Sequence, residues 1–194
     1  MPAFLTPSHE QRTEFEIKRS RFITTVIPID SSAAAKRARE RLRAEFPDAR
    51  HHCWAMISGA PDEFTGRDQS DDGEPKGTAG RPMLNVLEHS GLGRTLVVVT
   101  RYFGGVKLGA GGLVRAYSRA VSEALATLET VTVVPTARRR VVLDYAELDS
   151  FEYRLRSQGI HVTTRDFTER VTLELEVPED ALAEFDAMLA NRLP

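Results

Sequence analysis

The hydrophobic positions of this chain change period several times. Phe15 and Ile17 alternate with charged neighbours, and Phe22 to Ile27 is a β-branched run closed by Pro28. Residues 10–29 are therefore predicted to be extended. Ser31 and Ser32 are suited to cap a helix, and Ala35, Ala38, Leu42 and Phe46 then recur every three or four residues until Pro47. That spacing predicts an amphipathic helix. Its other face carries Lys36, Arg37, Arg39, Arg41 and Arg43, read as a solvated face or, more sharply, as an anion-binding one. His51 to Ser58 reads as a third strand, and residues 59–77 as one long, polar, Gly-rich loop. A short helix is expected over Arg81–His89, and a buried strand over Arg94–Thr100. The strongest helical pattern runs from Gly112 to Leu128, with Leu113, Tyr117, Ala120, Val121, Ala124 and Leu125 on one stripe. Val131–Pro135 looks like a linker with strand character.

From Arg138 the pattern restarts. Val141–Tyr145 reads as a strand, Leu148, Phe151 and Leu155 as a helix closed by Gly159, and Ile160–Phe167 as a strand. Val171, Leu173, Leu175 and Val177 alternate with polar residues, and Leu182, Phe185 and Leu189 follow Pro178 at helical spacing. The order β-α-β-β-α is that of a ferredoxin-like domain lacking its last strand, which predicts an open edge or a partner that covers it. The chain is thus expected to be α+β, with a domain boundary between residues 136 and 137.

Composition narrows the class. The 194 residues are 41% hydrophobic and 28% charged, as expected for a globular protein. No apolar run reaches the length of a membrane span, and no secretion signal opens the chain. A single cysteine, Cys53, excludes an internal disulfide and a four-cysteine zinc site, and fits a cytoplasmic protein. Residues 1–136 carry 18 basic and 16 acidic side chains, and residues 137–194 carry 8 and 12. Neither part is a strongly basic nucleic-acid module, so any phosphate recognition must be local.

Two stretches carry candidate chemistry. Gly104, Gly105, Lys107, Gly109, Gly111, Gly112 and Arg115 lie between a buried strand and a strong helix, with Arg101 at the strand end. Glycines let backbone N–H groups reach an anion, and a helix N-terminus adds positive potential. The spacing is neither a P-loop nor a dinucleotide fingerprint, because Ala110-Gly111 stands where Lys-Ser/Thr belongs and Val114 where a third Gly belongs. In the second stretch, Asp71, Asp72 and Glu74 are suited to hold a divalent cation or act as a base, and Thr78, Gly80 and Arg81 to bind phosphate. The bland alternatives are a tight glycine turn and a solvated acidic turn. His51 is expected to face the glycine loop as its titratable neighbour, with Cys53 on the same side and His52 and Trp54 opposite. No metal site and no cofactor are expected beyond a divalent cation at these acids.

The stretches DDGEPKGTAGRPML and VVVTRYFGGVKLGAGGLVRAYS, with KRSRFI (Lys18–Ile23) and HHCWA (His51–Ala55), resemble the YigZ/IMPACT family in its bacterial form. The resemblance covers most of residues 14–125. It implies an N-terminal α/β sandwich like the second domain of a small-subunit ribosomal protein. Residues 137–194 are similar to the bacterial members' C-terminal domain, which is like the last domain of elongation factor G. Eukaryotic members regulate translation through a kinase pathway and use an additional RWD domain. This chain starts nearly at its family domain, so that pathway role is not carried over.

Three readings follow. The favoured one is a non-catalytic, translation-linked factor that binds RNA, a nucleotide or the ribosome through the glycine-rich face. The others are a metal-assisted enzyme on a phosphorylated or nucleotide substrate, and a protein-interaction module. No complete nucleophile, base and orienting group is legible.

Overall fold

The computed structural model describes residues 2–190. The chain is α+β and separates into two compact units, residues 4–133 and residues 134 onward. No helix among the described residues is long and apolar enough to cross a membrane.

The first unit is built on five strands: β2 (Gln11–Ile17), β3 (Ser20–Pro28), β4 (His51–Ile57), β5 (Arg67–Ser70) and β6 (Thr95–Tyr102). Their order in the sheet is β2-β3-β6-β4-β5, with every neighbouring pair antiparallel. Alternate residues of a strand face opposite sides, so the central strands feed two cores. Val97 and Val99 join Cys53, Ala55 and Phe22 under α2 (Gly80–His89) and α3 (Ala110–Ala126). Leu96 and Val98 join Trp54 and Met56 under α1 (Ser32–Glu45). The near-continuous apolar run of β6 is explained by burial on both faces.

Helix α1 begins where the sequence predicts, with the Ser31 hydroxyl accepting the Ala34 N–H at 3.2 Å. Its basic face is largely engaged. Arg39 stacks on Trp54 at 3.8 Å from the ring centroid, Arg41 pairs with Glu10, and Arg43 pairs with Asp72. Two strands escape the hydrophobic pattern. The expected loop over residues 59–77 contains β5, an edge strand whose RDQS sequence joins β4 by backbone pairing from Trp54↔Ser70 to Ile57↔Arg67. β1 (Phe4–Pro7) and β7 (Thr130–Val133) form a separate antiparallel pair, Phe4 opposite Val133.

The second unit comprises β8 (Thr136–Leu143), α4 (Leu148–Ser157), β9 (His161–Phe167), β10 (Val171–Pro178) and α5 (Leu182–Ala190). Its antiparallel sheet has the order β8-β10-β9. Phe151, Leu155 and Phe185 from the helices pack on Leu143, Val171, Leu173, Leu175 and Val177. Gly159 ends α4 with φ 68°, and the Ile160 N–H returns to Leu155 O at 3.0 Å. The expected missing strand falls after Ala190, outside the described residues. β8 lies at the sheet edge.

Leu42 is fully buried between α1 and the sheet. Leu42→Ala should cost about 2–5 kcal/mol. Urea denaturation followed by the fluorescence of Trp54, the one tryptophan and a member of the same cluster, measures this directly.

Candidate functional site

The sheet brings the singled-out segments to one end of the first unit. His51 at the start of β4 pairs with Arg101 near the end of β6. The two-residue turn Lys18–Arg19 joins β2 to β3 beside Tyr102, which pairs with Arg21. Ser70, the end of β5, lies opposite Trp54, so the Asp71–Ala79 loop leaves from the same end. Helices α2 and α3 both start here. Backbone contacts lock the loops together: a Cβ on Gly104 would come within 2.0 Å of the Arg19 carbonyl, and one on Gly80 within 2.8 Å of the Ser70 backbone.

A buried polar network lies beneath these loops. Arg101, only 4% exposed, donates to Glu74 Oε1 at 2.6 Å and to Ser20 Oγ at 3.2 Å. The Tyr117 hydroxyl donates to the same Glu74 oxygen at 2.8 Å. Ser20 Oγ also accepts the Gly104 N–H at 3.2 Å. The Arg101 guanidinium lies near the rings of Phe22 and Phe103. The Cys53 thiol is 2.9 Å from the Asp71 carbonyl oxygen and 3.3 Å from the Tyr117 oxygen. Burial is the main cause that pushes both the thiol and the phenol far above their ordinary values, so both stay neutral.

The acids of the loop are all committed to structure. Asp71 accepts the N–H groups of Gly77, Ala79 and Gly80 at 2.7, 2.9 and 2.8 Å. Burial pushes its carboxyl up, but the three N–H bonds together outweigh that and hold it below the usual carboxylate range. Asp72 accepts the His52 N–H at 2.7 Å and pairs with Arg43 at 2.5 Å. Glu74 serves Arg101 and Tyr117. The expectation that these three act as bases or cation ligands therefore meets carboxylates already bonded within the fold. Among the described residues no group of three His, Cys, Asp or Glu side chains is placed to hold a metal ion. His51 bonds the acidic loop rather than the glycine loop, with Nδ1 2.9 Å from Asp72 O.

Several anion-site candidates are also used internally. Arg101 is buried in its ion pair. Thr78 is buried and donates to Pro75 O at 2.6 Å. Gly80 and Gly104 lack side chains because neighbouring backbone fills the space. What stays at the surface is Arg81, Gly105, Lys107, Gly109, Gly111 and Arg115, with Gly112 half-buried beside them.

The two helix starts differ. Asp71 supplies a carboxylate to the first turn of α2. Helix α3 has no side-chain cap: Gly109 precedes it at φ 74°, and the first helical bond is Leu113 N–H to Gly109 O. The N–H groups of Ala110, Gly111 and Gly112 thus have no acceptor within the helix. Gly111 is informative here. Its φ lies outside the left-handed region, and a Cβ would meet only the tip of Arg115 at an ordinary 3.6 Å. The fold gives no reason for a glycine that weakens the helix. Sequence reasoning missed Ser20 and Tyr117, which complete the buried network. It read Tyr117 only as core, and no periodicity distinguishes a buried tyrosine with a partner from one without.

Two substitutions test this description. Glu74→Leu strands the Arg101 charge and should cost about 3–5 kcal/mol in urea denaturation. Asp71→Asn should lower stability at neutral pH. Because the folded Asp71 carboxyl lies below its unfolded value, its stabilisation is present above about pH 4 and fades as pH falls through the folded value. The variant's stability should therefore fall less steeply with acid than the parent's.

The Impact N-terminal domain matches residues 18–125, and a domain of unknown function, DUF1949, matches residues 141–193. The chain is 43% identical over 191 residues to the IMPACT family member YigZ of Escherichia coli K12, covering 98% of this chain and 94% of that one. It is 36% identical over 195 residues to the IMPACT family member YvyE of Bacillus subtilis 168, covering 97% and 88%. A crystal structure described as that of a hypothetical protein superposes with a TM-score of 0.74 at 43% identity, covering 98% of this chain and 93% of that one. This chain belongs to the IMPACT family.

Proposed function

We propose that this protein is a non-catalytic, translation-linked regulatory factor that binds a phosphate-bearing ligand (RNA, a nucleotide or the ribosome) at the start of α3. The observation that carries the reading is the open first turn of that helix. Three N–H groups lack helical acceptors there, Gly111 keeps the approach clear, and exposed Lys107 and Arg115 have no side-chain partner among the described residues. A helix N-terminus favours an anion through its N–H groups and its dipole. The commitment of Asp71, Asp72 and Glu74 to internal bonds weighs against the metal-assisted enzyme. The link to translation rests on the family resemblance, whose eukaryotic members regulate that process.

Gly111→Ala provides the sharpest test. The methyl group enters open space in a helix, so stability should hold or rise by up to about 1 kcal/mol. Binding of tripolyphosphate or a short oligoribonucleotide, followed by calorimetry, should weaken by about tenfold, because the methyl group obstructs the anion's approach to the N–H groups. Lys107→Ala with Arg115→Ala should weaken binding too, and reduce its salt dependence. Full affinity in both variants would overturn the proposal.

A further inference from the structure

The cations at this end of the first unit extend well beyond the start of α3. Lys18 and Arg19 form the β2–β3 turn, Lys76 and Arg81 flank the start of α2, and Lys107 and Arg115 flank the start of α3. All six are exposed, and none has a side-chain partner among the described residues. The acids interleaved with them are occupied: Asp71, Asp72 and Glu74 as above, and Glu14 by Arg21. Among the described residues, Glu16 stands exposed nearby and makes no ion pair. The near-neutral whole-chain charge conceals this local excess.

The turn itself is costly. Lys18 and Arg19 hold φ of 48° and 63°, and Ile17 pairs with Ser20. A two-residue hairpin loop with both central residues at positive φ is the natural place for Asn-Gly, and long side chains are disfavoured there. The turn geometry gives no reason for two cations at these positions. Strain of this kind persists where a site requires the residues that cause it.

The shape of the surface limits what it can hold. A small-molecule site is normally a cavity that encloses most of its ligand. Four cavities of the described residues are lined by other groups, and none of the four takes in Lys18, Arg19, Lys107, Gly111 or Arg115. One of them, of about 750 Å³, lies between α2 and α3 and takes in Arg81 of the six cations.

We propose that the six cations form one docking surface for the phosphodiester backbone of a nucleic acid strand, with the start of α3 as one phosphate position within it. This rests on the anion-binding reading of α3 and adds the partner class and the Lys18, Arg19, Lys76 and Arg81 contacts. Recognition is of repeated charge on an open surface, not of one enclosed nucleotide.

The test uses the full chain and Lys18→Asn with Arg19→Gly. That double variant relaxes the turn while removing two charges, so the protein should be at least as stable as the parent. Binding is measured for tripolyphosphate, a 20-nucleotide single-stranded RNA, the matching DNA, an RNA duplex and polyglutamate, each over a range of salt. One or more of the nucleic acids should bind far more tightly than tripolyphosphate, and the arms show which. For a single strand contacting all six cations, the logarithm of affinity should fall with the logarithm of salt at a slope near −4. The double variant should weaken strand binding several-fold, make that slope shallower by about 1.4, and leave tripolyphosphate binding unchanged. If tripolyphosphate binds as tightly as any strand and the double variant changes nothing, the extended surface is overturned while the α3 site stands. If neither binds, both are overturned. Preferential binding of polyglutamate would overturn the nucleic-acid assignment.

Discussion

The buried contact between Arg101 and Glu74 sets the arrangement of everything around it. A guanidinium taken out of water costs several kcal/mol unless a carboxylate and further hydrogen bonds meet it. Here Arg101 lies at the end of β6 and Glu74 in a loop 27 residues earlier. The loop must therefore close over the strand end. Tyr117 reaches the same carboxylate from α3, and Ser20 reaches the guanidinium from the start of β3. Four separate stretches of chain are thus held by one polar cluster. Removing any one member leaves further buried polar groups unpaired, which favours a single arrangement.

That cluster separates residues that hold these loops together from residues left at the surface. Asp71 is in effect an internal anion for α2, filling the role an outside phosphate would otherwise take. Helix α3 begins a short distance away in sequence from the same strand end with nothing in that role. The glycines divide in the same way. Gly104 makes room for the Arg19 backbone, Gly109 supplies a positive φ, and Gly111 serves neither purpose. Loops fixed from beneath in this way would need little further ordering to receive the proposed ligand.

Much of the fold was legible. The 3.6-residue stripes of α1 and α3, the apolar run of β6 and the alternation of β10 all mark burial by period alone. β5 and β1 were not legible, for a common reason. A polar edge strand or a four-residue strand leaves no hydrophobic period to read, even though Phe4, Thr6 and Pro7 of β1 are buried. The partner of Phe4 is Val133, so nothing local announces the pair.

The candidate site divides along a similar line. Sequence alone determined the family and the two-part α+β organisation, because motifs and periods are properties of neighbouring residues. Only the tertiary structure decided which charges are available. Asp71, Asp72, Glu74 and Arg101 read as ligand chemistry in one dimension and are consumed by bonds in three. Lys18 and Arg19 fell inside a stretch read as extended and emerge as exposed cations in a two-residue turn at positive φ. Whether a charge is free depends on its burial and on partners distant in the chain, and no local pattern encodes either.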